Sequence, residues 1–197
     1  MVAASSSSLL VLWSDLPAEQ GWKLERSPDG ASGWQPLPML PWDVTSFTDT
    51  GLAATTTYFY RLGSSNSTGN SGYTGAISRR TFSLFEQWKV NAGFSVTAPN
   101  DGDADLDGIP LIVEYGLGLD PSVPTSDGLP TFQRLGDYAA FSYRKFRGDV
   151  NYADEAFADL LTWSTVGVVQ GSGSFPIAWK VIGPAPQMFL RLRVSQP

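Results

Sequence analysis

Turn-forming clusters interrupt this chain about every 8–12 residues through its first 80 or so. That is too often for long helices, and it is the spacing of short strands joined by tight turns. "LLVLWS" places Leu9, Val11 and Trp13 on one face of an extended segment. "GWKLERSPDGASGW" puts Trp22, Leu24 and Arg26 on one side, Lys23 and Glu25 on the other, and then breaks at "SPDG". In "TTTYFYRLGSSNSTGNSGY", Tyr58, Tyr60 and Leu62 alternate again. With Gly 20, Pro 14, aromatics at 13% and only 16% charged residues, the composition is that of a turn-rich β protein. The expected fold class is mainly β: two β-sandwich-like modules joined by two short helices and an acidic loop.

The first half also resembles a fibronectin type III domain over about residues 5–81. "LLVLWSDLP", "WKLERSPDGASGWQPL" and "FTDTGLAATTTYFYRLGSSNSTGNSGY" carry the resemblance. Leu52, Thr56 and Tyr58 match that family's tyrosine corner, in which the Tyr hydroxyl ties a strand crossing to the backbone. The family's usual Pro in this stretch is Ala54 here. Trp13, Trp22 and Tyr60 are expected in the core and Trp34 at a sheet edge. Trp42, in the Pro-rich "LPMLPWDV", is a candidate exposed platform for stacking a sugar.

The chain has no Cys and no His. Their absence removes Ser–His–Asp triads, Cys nucleophiles, the usual zinc sites, His-ligated haem and iron–sulfur clusters. Carboxylate chemistry and oxygen-ligated hard metals remain. A formal net charge of -6 disfavours nucleic acid and anionic membranes as partners. No apolar run approaches the ~18 residues of a membrane span. "MVAASSSSLLVLW" lacks the basic and apolar regions of a signal peptide.

The period changes at "RRTFSLFEQWKVNAGFS". Ser83 and Glu86 read as a capping box, Leu84 and Trp88 share a helical face, and Gly93 is a stop signal. The second domain is expected to begin here, at residue 82 after a first domain of 1–81. Its calcium-loop segment, 82–121, precedes a β-domain, 122–197.

"DADLDGIPLIVE" then crowds carboxylates. A solvated acidic linker and a metal loop are the two readings. A 12-position calcium loop takes oxygen ligands at 1, 3, 5, 7, 9 and 12, with Gly at 6. Starting at Asp103, positions 1, 3 and 5 are Asp103, Asp105 and Asp107, and Gly108 is the sixth. Ile109 offers its carbonyl at position 7, and Glu114 falls at 12. Starting at Asp101 instead puts Leu106 at the Gly position and Ile112 at the closing one, and that register fails. Position 9 is Leu111, so water would serve there. Ca²⁺ is therefore the expected metal, with an exiting helix over about 110–117.

This segment is similar to the calcium loops of thrombospondin type 3 and dockerin repeats. It is closer to a pattern in large secreted proteins of Verrucomicrobia and Planctomycetes, where a C-terminal β-module follows. Here "AAFSYRKF", "VNYADEAF", "IAWKVIG" and "MFLRLRV" read as strands. Asp154 breaks the apolar alternation of its strand, which suits a sheet edge.

The expected function is that of a non-catalytic, calcium-stabilised extracellular or cell-surface module that spaces, presents or docks a larger secreted protein. Its partners would be other domains of that protein or a surface glycan. An alternative is a carbohydrate-binding module stacking sugars on Trp42, Trp163 or Trp179. Another is a subunit of a surface filament or layer.

Overall fold

The computed structural model describes residues 1–125, 127–135, 138–157, 162–173, 177–181 and 189–197. Contacts divide the chain into two compact units, Met1–Val90 and Asn91–Pro197.

The first unit is built from β1 (Val2–Ala3), β2 (Ser8–Leu12), β3 (Gly21–Ser27), β4 (Gln35–Pro36), β5 (Leu40–Pro41), β6 (Ser46–Thr50), β7 (Thr57–Asn66), β8 (Gly69–Asn70) and β9 (Ile77–Arg80), followed by helix α1 (Leu84–Asn91). One sheet has the order β1-β2-β6. The other runs β4-β3-β7-β8, with β5 also on β3 and β9 also on β7. All these pairings are antiparallel.

The sheets share one core, which makes the unit a β-sandwich. Leu9 and Val11 come from β2, Leu24 from β3, Tyr60 from β7, and Leu52 from the connection before β7. Each fully buried aliphatic side chain there stabilises the fold by roughly 1.5–3 kcal/mol. Trp22 is buried as expected, and Trp13 is half-buried with its ring 5.9 Å from that of Trp22. The Tyr58 hydroxyl accepts the Ala53 N–H at 3.0 Å, which closes the corner anticipated from Leu52, Thr56 and Tyr58. Buried Asp49 accepts the Tyr60 hydroxyl at 2.7 Å, and Arg26 Nη1 donates to its two carboxylate oxygens at 3.1 and 2.9 Å.

Ser83 and Glu86 form the reciprocal cap. The Ser83 N–H donates to Glu86 Oε2 at 2.6 Å, and the Glu86 N–H to Ser83 Oγ at 3.0 Å. The Ser6 N–H also donates to Gln87 Oε1 at 2.9 Å, and Arg80 pairs with Glu86 at 2.7 Å. These bonds group α1 with the first unit, whereas the sequence reading placed it at the start of the second domain. The division thus falls at 90/91 rather than 81/82.

The second unit contains α2 (Leu111–Leu117), β10 (Thr131–Leu135), β11 (Tyr138–Ser142), β12 (Asn151–Phe157), β13 (Val169–Gln170), β14 (Ile177–Val181) and β15 (Phe189–Ser195). The strands form an antiparallel sheet of order β10-β11-β14-β13 and a β12-β15 pair. Leu117 of α2 meets Phe141 and Tyr143 in a core that Tyr152, Leu190 and Leu192 flank. Helix and both sheets therefore share one apolar interior. No described helix is long and apolar enough to cross a membrane.

A carboxylate loop as candidate metal centre

Between Asp103 and Glu114 the chain coils so that carboxylates converge. Carboxylate oxygens of Asp103, Asp105 and Asp107 come within 4.8 Å of one another. Gly108 has φ 90°, the left-handed backbone that the sixth loop position needs and that Gly adopts without steric cost. Leu106, at φ 64°, takes the same region, with its side chain in solvent.

The loop's own amides hold the acids. The Gly108 N–H donates to Asp103 Oδ2 at 2.8 Å, and the Ile109 N–H to Asp107 Oδ1 at 2.8 Å. The Asp107 N–H lies 3.2 Å from Asp103 Oδ1 and 3.3 Å from Asp105 Oδ1. A distant segment contributes too: the Thr125 N–H donates to Asp107 Oδ2 at 3.1 Å.

Helix α2 carries the fourth acid. Pro110 sits at its N-cap rather than inside its first turn, and the helix ends at Gly118, whose φ is 77°. The loop is closed at its base, because the Leu111 N–H donates to the Gly102 carbonyl at 2.8 Å and the Ile112 N–H to that of Asn100 at 3.0 Å. Leu111, which cannot ligate at position 9, is buried in the unit's interior instead.

Three contacts anchor the helix from the strand side. The Tyr115 hydroxyl donates to Asp149 at 2.8 Å, the Tyr152 hydroxyl to the Gly116 carbonyl at 2.6 Å, and the Phe146 N–H to that same carbonyl at 3.0 Å. The Arg147 guanidinium lies over the Tyr115 ring at 4.5 Å.

Glu114 is the unusual member. It is 0% exposed, and neither carboxylate oxygen has a hydrogen-bond partner. It stands outside the closest group of three. Burial, then the charges of Asp105, Asp107, Asp103 and Asp120, push its carboxyl up to about 7. Asp105 Oδ2 is likewise buried and unpartnered, and burial raises that carboxyl too, with Asp107 and Asp103 adding to the effect. No Lys or Arg among the described residues is ion-paired with any of these acids. A buried carboxylate without a partner is costly, and a cation removes the cost. Hard oxygen donors with unfilled lone pairs on a turning loop fit a divalent ion of calcium's class. Asp103, Asp105, Asp107 and Glu114 would hold it, with Ile109 offering a carbonyl.

A second acidic group, Asp15, Glu19 and Asp43, brings its oxygens as close together. Its members come from two loops far apart in sequence, so no spacing announced it. It has no buried, unpartnered acid comparable to Glu114.

The stacking candidates diverge. Trp42 is 63% exposed. Trp163 is half-buried, with the Arg191 guanidinium 4.2 Å over its ring. Arg191 also pairs with Glu155 at 2.6 Å. Trp179 belongs to β14, and its side chain lies outside the described residues.

Comparison of the sequence with protein families and with curated proteins finds no match. Among solved structures, the chain is similar over about two fifths of its length to fibronectin type III domains. The crystal structure of FN3tt shares 20% identity, over 41% of this chain and 83% of that one, with a TM-score of 0.36. The sixth such domain of human fibronectin type III domain containing protein 3 shares 21%, over 42% and 78%, at 0.36. The domain of human collagen alpha-1(XX) chain shares 19%, over 41% and 77%, at 0.38.

Proposed function

We propose that this chain is a non-catalytic, calcium-stabilised extracellular module that spaces, presents or docks a larger secreted or cell-surface protein. The observation that carries the calcium reading is Glu114: fully buried, without a partner on either oxygen, at position 12 of a loop whose positions 1, 3 and 5 converge. Calcium would supply the missing positive charge and lock α2 to the loop. Because the ion binds the folded chain, it would raise stability by mass action.

The test is calorimetric titration of chelator-treated protein with Ca²⁺ and with Mg²⁺, alongside thermal unfolding. One Ca²⁺ per chain and a higher melting temperature are expected, with both lost in Asp105→Asn and Glu114→Gln. Equal melting with Ca²⁺ and with chelator would overturn the reading.

A second reading, carbohydrate binding, is favoured by exposed Trp42 alone. Retention on insoluble polysaccharide, lost in Trp42→Ala, would support it. No retention on any glycan would remove it.

A further inference from the structure

The two units share one plan, set 130 residues apart. Adding 130 to the residue numbers of β2 (Ser8–Leu12) gives β11 (Tyr138–Ser142), and β3 (Gly21–Ser27) gives β12 (Asn151–Phe157) in the same way. β1 and β7 map onto β10 and β15 with ragged ends. The sheet order β1-β2-β6 recurs as β10-β11-β14. The β3–β7 register recurs in β12–β15: Glu25↔Arg61 becomes Glu155↔Arg191, and Trp22↔Ser64 becomes Tyr152↔Val194. The units differ at β13, which pairs β14, whereas β4 and β5 pair β3.

Side chains follow the backbone. Arg61 donates from Nε to Glu25 at 2.8 Å and lies 4.2 Å over the Trp34 ring. Arg191 donates from Nε to Glu155 at 2.7 Å and lies 4.2 Å over the Trp163 ring. The Trp13 and Trp22 rings meet at 5.9 Å, and their counterparts Tyr143 and Tyr152 at 6.0 Å. Leu9 and Val11 become Ala139 and Phe141, all of them buried. A sandwich asks for alternating strands, not for the same glutamate, arginine and tryptophan at matching places, so the likeness is a repeat of one design.

One core place changes character. Leu24, 1% exposed and opposite Leu62, corresponds to Asp154, 3% exposed and opposite Leu192. Neither Asp154 oxygen has a hydrogen-bond partner. A buried carboxylate destabilises where a leucine would stabilise. A rule broken at one place of a repeated core marks a functional position. Tyr143 and Gln170 lie close to Asp154, and Lys145 is the charged side chain that acts on it. Glu155, Arg191 and Arg193 lie on the other face of the β12–β15 pair by strand alternation.

We infer that the second unit is a second copy of the first unit's sandwich, in which Asp154 turns the core place of Leu24 into a proton-binding site. Burial favours the protonated carboxyl, so the copy is tightest in acid and loosens as pH rises through the raised value. The first unit carries leucine there and has no such response.

The test is amide hydrogen exchange on the full chain at pH 5 and pH 7. It is run in chelator on a Glu114→Gln background, which removes the unit's other buried acid. Protection of the β12 and β15 amides, corrected for intrinsic exchange, should fall roughly tenfold between the two, while that of β3 and β7 holds. Asp154→Leu, which restores the first copy's residue, should flatten the β12 response. Asp154→Asn should flatten it too, and it keeps the side chain's shape should leucine overpack the core. Double-mutant cycles on Glu25–Arg61 and Glu155–Arg191, with glutamine at each position, read the repeat itself. Each should show a coupling of roughly twofold to fivefold in the unfolding constant, reduced by Trp34→Ala or Trp163→Ala respectively. The proposal falls if the second clasp shows no coupling, or if Asp154→Asn leaves the pH response of β12 unchanged.

Discussion

Two buried acids show how context sets the worth of one residue. Glu114 and Asp154 are each almost wholly buried, and neither has a hydrogen-bonded oxygen. Glu114 lies within reach of other carboxylates, so its charge invites a cation. In calcium-free protein at neutral pH, Glu114→Gln should raise the melting temperature, and added Ca²⁺ should no longer change it. Thermal unfolding with and without chelator checks both outcomes. Asp154 instead faces Leu192 on the neighbouring strand. Tyr143 and Gln170 lie close, without good hydrogen-bond geometry to it, and burial raises its carboxyl despite them and Lys145. A raised acid is favoured neutral in the fold. Its stabilising share is therefore complete below the unfolded value of about 3.9 and is lost as pH rises through the folded one. Asp154→Asn should be more stable than the parent at pH 7, by about 1–2 kcal/mol, with the gap closing toward pH 4. Urea midpoints at the two pH values measure it.

At the scale of elements, each helix owes its ends to a few residues. α1 is held by its reciprocal cap, and Ser83→Ala should cost about 1 kcal/mol in chemical unfolding. α2 ends at Gly118, where a Cβ would lie 2.5 Å from the Phe146 ring and the backbone is left-handed. Gly118→Ala should cost about 2–3 kcal/mol, combining strain with overpacking. Gly93→Ala makes the control, since Gly93 has φ 86° and open space around it. It should cost only about 1 kcal/mol in the same assay. The strands of the first unit were readable from alternation, as Leu9, Val11, Leu24 and Tyr60 show. The second unit was harder to read. Asp154 suggested a sheet edge; among the described strands β12 pairs only β15, yet the residue itself is buried.

For the whole molecule, the two units should respond separately to what stabilises each. The first has its part-buried Arg26–Asp49–Tyr60 network, and the second its carboxylate loop. Scanning calorimetry in Ca²⁺ should resolve two transitions, with chelator lowering one. Asp49→Ala should lower the other by about 2–3 kcal/mol, since it leaves the buried Tyr60 hydroxyl without its acceptor and unpairs the part-buried Arg26. A single transition that both changes shift alike would contradict this.

The sequence by itself determined the β class, the tyrosine corner at Tyr58, the cap at Ser83 and the convergence of Asp103, Asp105 and Asp107. All of these rest on relations among near neighbours: alternation, a three-residue reach, and oxygens spaced along a turning backbone. Tertiary structure alone decided that α1 belongs with the first unit and that Leu111 is core. It also brought Thr125 to Asp107 and gave Arg191 to Trp163. Those outcomes depend on which distant segments arrive to exclude water or offer a donor, and no local spacing encodes that.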